Sequence, residues 1–124
     1  MPLSDQHERI IGSRIAKRFE TGLKPELDPK VNDYVNQLCQ RIARLSDRPE
    51  IPYTVRVFVS EDPRAVAFPG GMIYVSTGLL QRVDTESEVA GVLGHEIAHV
   101  ALRHPSGLLE RGLDDVELAA MQGA

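Results

Sequence analysis

His95-Glu96-Ile97-Ala98-His99 places two imidazoles and a carboxylate within five residues, a set that can hold a metal ion and move a proton. On a helix four residues turn through about 400°, so the two imidazoles project about 40° apart, one turn above the other. Two neutral ring nitrogens so placed can hold one zinc ion at about 2.0–2.1 Å each. Glu96 lies about 100° round from His95 and about 60° from His99, too far round for an easy third ligand but within reach of a metal-bound water. Zinc lowers the pKa of its water towards about 7, and the carboxylate takes the proton as hydroxide attacks a carbonyl, then returns it to the leaving amine. The pattern thus assigns His95 and His99 as metal ligands and Glu96 as general base and acid. The competing reading is an exposed helix whose polar side chains only meet solvent.

The helix that carries these residues has clear ends. Thr85 with Glu88 three residues on forms a capping box, and Pro105 limits the helix to about Arg103 or His104. Leu93, Ile97, Ala90, Ala101 and Val100 lie opposite the histidines, while Val92 and Leu102 flank them, so the helix is expected to be buried nearly all round. Buried imidazoles and a buried carboxylate are costly without a partner, and a metal ion would supply one. Gly91 and Gly94 weaken the helix, which predicts that another backbone approaches closely there.

The elements around this helix follow from periodicity. Ser4 or Asp5 caps a first helix with Ile11, Ile15 and Phe19 on one stripe, and Gly22, Pro25 and Pro29 break it. Asp28-Pro29 opens a second, amphipathic helix carrying Val31, Val35, Leu38, Ile42 and Leu45. From Thr54 to Val59 the period becomes two: Val55, Val57 and Val59 face one way, Thr54, Arg56 and Phe58 the other. Glu61-Asp62-Pro63 is a turn. Ala65–Phe68 and Met72–Ser76 then flank Pro69-Gly70-Gly71 as a hairpin, the proline hinting at a sheet edge. A short Leu108–Arg111 stretch and a weak helical segment through Met121 close the chain. This order predicts an α+β fold of helices packed on a short sheet, with residues 1–124 as one domain around a single core.

Composition narrows the function classes. The 124 residues carry 14 basic and 18 acidic side chains, a net charge of −4, which gives no positive field for a nucleic-acid backbone. Cys39 is the one cysteine, so an internal disulfide and a cysteine-based zinc knot are excluded; it reads as a small buried hydrophobe. No apolar run is long enough for a transmembrane segment, and Met1-Pro2-Leu3-Ser4-Asp5-Gln6 does not read as a signal peptide. His104 points about 140° from His99 on a regular helix and is a poor ligand; His7 reads as a surface residue. Leu102 and Pro105 occupy the positions where a metzincin has glycine and a third histidine, so that class fails.

Phe68-Pro69-Gly70-Gly71-Met72-Ile73-Tyr74-Val75, Gly78-Leu79-Leu80, the run Glu88–Val100 and Arg103-His104 resemble the HtpX-like and BepA-like zinc metallopeptidases. These are relatives of the CAAX prenyl endopeptidases in the gluzincin clan. Asp28-Pro29 with Val31, Tyr34, Val35 and Leu38 is similar too, so the resemblance spans roughly residues 5–112. It implies a zincin-like domain with an edge strand beside the histidine helix, one zinc per chain, and endopeptidase activity on a protein or peptide substrate. Arg64, Ala65, Val66 and Ala67 then correspond to the strand at the cleft, to which an extended substrate adds as a further antiparallel strand; a plain hairpin arm is the alternative. The family commonly works in the bacterial cell envelope or periplasm, and the resemblance leaves room for an oligomer. Arg64 stands where the family usually has asparagine and Cys39 where it has glycine. The family's third ligand is a glutamate on a later helix. Glu110 and Glu117 are the nearest local substitutes and neither fits that motif, so the chain reads either as the N-terminal part of a longer peptidase or as a peptidase-like module that binds zinc or peptide without turnover.

Overall fold

The computed structural model describes residues 4–102. Four helices pack on a four-stranded mixed sheet: α1 (Asp5–Glu20), β1 (Lys24–Pro25), α2 (Pro29–Ala43), β2 (Thr54–Val59), β3 (Ala65–Phe68), β4 (Met72–Ser76), α3 (Thr77–Arg82) and α4 (Glu86–Ala101). The Leu108–Arg111 stretch, the segment through Met121, and His104, Glu110 and Glu117 lie outside the described residues. Helix starts follow local chemistry. Ser4 Oγ accepts from His7 N–H at 3.1 Å, Asp28 Oδ1 from Lys30 N–H at 2.9 Å with Pro29 opening α2, and Thr85 Oγ1 from Glu88 N–H at 3.2 Å.

The strand order is β1-β2-β4-β3, with β2 and β4 parallel and both outer pairs antiparallel. Thr54 pairs with Met72 and Phe58 with Ser76, while Ala65 faces Val75 and Phe68 faces Met72. The hairpin turn is built from Gly70 and Gly71, whose φ angles of 92° and 97° suit a residue without Cβ. β1 reaches only Phe58 and Val59, so most of that edge of β2 lacks a strand among the described residues. α2 covers it with amides: Asn36 bonds both N–H and C=O of Val55 at 2.9 and 2.6 Å, and Gln40 donates to Tyr53 O at 2.7 Å.

Two apolar clusters form, one on each face of the sheet, where a single core was expected. Val55, Val57, Ala65, Ala67, Ile73 and Val75 pack against α2 and α4; Phe58, Val66, Phe68 and Tyr74 pack against Ala16 of α1, with Phe19 edge-on to the three rings. The alternation of strand side chains divides the apolar set between the faces, and α1 supplies the cover on the second.

Several local expectations are corrected. α2 ends at Ala43, and Leu45, counted in its apolar stripe, is 88% exposed beyond the last turn; Cys39 and Ala43 are buried on the helix instead. Val59 is exposed at the end of β2. α3 and β1 were not anticipated. Among the described residues Gly91 has no atom within 4 Å of a Cβ placed on it, and Gly94 meets only Ile42 Cγ2 at 3.9 Å, so no described backbone lies close to either.

Candidate active site

α4 lies on the first face of the sheet against α2 and β3, burying Val89, Leu93, Ile97 and Val100 at helical spacing. Its other side is not buried. Gly91, His95 and Ala98 are exposed and His99 is partly so, whereas Glu96 retains 2% of its surface. The expectation of a helix buried all round is therefore corrected: among the described residues no element covers the histidine side, which opens on a cleft.

The two rings stand at 89° to one another with centroids 4.4 Å apart, and their Nε2 atoms approach to 2.9 Å. Two nitrogens sharing a zinc at about 2.0–2.1 Å lie roughly 2.9–3.4 Å apart for bond angles between square and tetrahedral. The ring tips thus converge at 2.9 Å, a hydrogen-bond distance between two imidazole nitrogens and the short end of the range for a shared cation, and the donor set suits zinc. Glu96 has no hydrogen-bond or ion-pair partner among the described residues, and burial pushes its carboxyl up to about 7. A carboxyl held near neutrality, beside two converging imidazoles, is suited both to take and to return a proton.

The cleft has a volume of about 460 Å³, with His95 and Glu96 on its floor. Ala65 of β3 stands on one side, and Leu79, Val83 and Val92 form an apolar wall, with Glu88 and Gly91 further along α4. The wall was missed in the sequence because it depends on α3. Ser76, whose Oγ accepts from Leu79 N–H at 3.1 Å, is the capping signal that marks that helix. Gly78 lets α3 settle on the preceding loop, since its N–H donates to Ser60 O at 2.8 Å and a Cβ there would lie 2.2 Å from Glu61 O.

The segment Arg64–Ala67 falls at the sheet edge. β3 pairs with β4 alone among the described residues, leaving its outer edge toward the cleft side of α4. Ala65, Val66 and Ala67 turn their side chains into the two clusters, so backbone is what this edge can offer. Arg64 is half-buried, with its N–H bonded to Ser76 Oγ at 2.9 Å and its guanidinium 3.6 Å from Asp62. No group of three ligating side chains occurs among the described residues, so the histidine pair has no third protein ligand there. No described helix is long and apolar enough to cross a membrane.

The chain is similar to known peptidases. The description "Peptidase family M48" fits residues 29–122 of the chain. The chain is 30% identical to the beta-barrel assembly-enhancing protease of Yersinia pestis over 87% of its own length and 22% of that protein. It is 31% identical to the Escherichia coli protein of the same name over 75% of its length and 18% of that protein. The mitochondrial metalloendopeptidase OMA1 of Schizosaccharomyces pombe is 34% identical over 57% of the chain and 21% of that protein. The chain spans about a fifth of the length of these relatives. They are metallopeptidases of a generally zinc-dependent family. With a profile that covers residues 29–122 and a helix whose histidines converge on one point, the chain belongs to peptidase family M48.

Proposed function

We infer that the chain is the part of a zinc-dependent endopeptidase that carries the motif helix and the edge strand, with residues 1–124 acting as one unit. The observation that carries this reading is the 2.9 Å convergence of His95 and His99 Nε2 beside the buried Glu96. His95 and His99 would hold the zinc. When bound, the ion acidifies a water and polarises a carbonyl. Glu96 takes the water's proton, its carboxyl already close to neutral pH in basicity, and delivers it to the leaving amine. The run Arg64, Ala65, Val66 and Ala67 aligns an extended segment of the substrate, a protein or peptide, along the outer edge of β3. Ser76 holds the Arg64 N–H and C=O, so the main-chain hydrogen bonds come from Ala65 and Ala67, with little sequence preference. Leu79, Val83 and Val92 exclude water from the side of the scissile bond.

The second reading, a module that binds zinc or peptide without turnover, is favoured by the absence of a third ligand among the described residues. One experiment separates the two: cleavage of an unfolded protein by the zinc-loaded chain and by Glu96→Gln. Hydrolysis by the parent that Glu96→Gln abolishes supports the peptidase. Zinc uptake through the histidines with no hydrolysis supports the binding module, and equal hydrolysis by both proteins overturns the role of Glu96.

A further inference from the structure

Arg48 lies between α2 and β2, outside the motif and outside the cleft, yet it is among the few charged residues that are buried. Its Nη2 sits 3.0 Å from Glu8 Oε2 on α1, and its Nη1 donates to the carbonyl of Val100 at 3.3 Å. The two side chains of this ion pair are 10% and 3% exposed. Arg48 is itself fixed in place, since its carbonyl accepts from Tyr53 Oη at 3.1 Å and from Ile51 N–H at 3.3 Å. Glu8 is fixed from the other side. One turn along α1, Gly12 is pressed on the Pro69 carbonyl, and Arg9 lies against Gly70, so α1 is seated on the β3–β4 turn.

Val100 is in the last turn of α4, one residue past His99. The last four carbonyls of a helix lack their regular amide partners; the Val100 carbonyl meets the cap N–H of Leu102 and the guanidinium, whose charge also complements the negative end of the helix dipole. A buried ion pair is a poor source of net stability, because desolvation offsets most of its attraction. What a planar fork does supply is direction: it meets Glu8 and Val100 together only for one placement of the α4 end against α1. His95 and His99 sit on successive turns, so the placement of the last turn relative to the one before it sets how their rings meet.

We propose that Arg48, held by Glu8, is a positioning residue for the motif helix: through the Val100 carbonyl it fixes the turn that carries His99, and with it the convergence of His99 Nε2 on His95 Nε2. The final step rests on the reading of the two histidines as metal ligands; the hold on the helix end does not.

The test uses the full chain with Arg48→Lys, whose ammonium reaches Glu8 but cannot fork between Glu8 and Val100. Amide hydrogen exchange, measured without metal, is expected to speed up by at least about tenfold at Val100–Leu102 while Val89–Leu93 keep the parent's rates. Cobalt affinity is expected to fall about tenfold, with an altered visible absorption band and an unchanged far-ultraviolet spectrum. Exchange that is unchanged, or faster by the same factor along all of α4, overturns the proposal, because a merely structural role loosens the helix as a whole. Should Arg48→Lys fail to fold, Glu8→Gln, which keeps the guanidinium and its bond to Val100, is judged by the same exchange pattern. A parent chain that takes up no cobalt refutes the metal reading, and the exchange pattern then decides the role of Arg48 by itself.

Discussion

Gly12→Ala tests how α1 is seated on the sheet. A methyl at position 12 would lie 1.7 Å from Pro69 O and 2.6 Å from Pro69 C, whereas ordinary contact begins near 3.4 Å. α1 must therefore withdraw by the difference between 3.4 and 1.7 Å, about 1.7 Å, because both sides of the clash are backbone and no rotamer relieves it. Such a gap forfeits at least half of the dispersion energy between Ile15, Ala16 and Phe19 and the rings of Phe58, Phe68 and Tyr74. Overpacking typically costs 1–3 kcal/mol, and a rigid helix against a rigid turn belongs at the upper end, about 3 kcal/mol. The gain of alanine over glycine in a helix, about 1 kcal/mol, offsets part of it and leaves a net loss of about 2 kcal/mol. Gly91→Ala is the control: the same helix gain at a site with no atom within 4 Å among the described residues, hence about 1 kcal/mol more stable than the parent. Urea denaturation followed by circular dichroism reads both, and the two variants should differ by about 3 kcal/mol, or about 2 M in midpoint. A Gly12→Ala chain within about 0.5 kcal/mol of the parent would show that α1 does not rest on the hairpin turn.

Gly78→Ala places a Cβ 2.2 Å from Glu61 O and should destabilise the chain by about 2 kcal/mol while loosening the apolar wall of the cleft, measured by denaturation and by hydrogen exchange in α3. The Cys39 thiol, pushed up to about 11 by burial, should resist a thiol reagent at pH 8 until the chain unfolds; modification at the rate of a free thiol contradicts its place in the core. Because the folded thiol holds its proton to higher pH than the unfolded one, whose pKa is near 9.0, stability should fall as pH rises from 9 towards 11, and Cys39→Ala should lessen that slope. Glu96→Gln should retain the zinc stoichiometry of the parent while losing any hydrolysis, as read by calorimetry and by peptide cleavage.

What could be read from the chain was local. Ser4, Asp28-Pro29 and Thr85 cap helices through their own side chains, and β2, β3, β4 and the glycine turn follow from alternation and breaker residues, so each was legible before any tertiary contact was known. β1 was not, because two residues containing a proline form a strand only by pairing with Val59 and Phe58. α3 was not, because a six-residue helix depends on the Ser76 cap and on Gly78 settling against Glu61. The parallel pairing of β2 with β4 is a long-range choice that no local period announces. Covering of both sheet faces was written in Ala65–Phe68, four apolar residues in succession where one buried face needs every second residue. In the site, the histidine spacing was legible and the openness of that side of α4 was not: Val92 and Leu102 suggested burial, but the one is on a cleft wall and the other is exposed. Gly91 and Gly94 suggested a backbone neighbour, and among the described residues α4 meets one side chain there or none.

Zinc titration of the parent chain, His95→Ala and His99→Ala by isothermal calorimetry is the most direct measurement of the shared site. One ion per parent chain, with uptake lost in both variants, is the result expected if the two nitrogens 2.9 Å apart share a cation. Uptake that survives either substitution unchanged, or no uptake by the parent, contradicts a single cation held between the two rings.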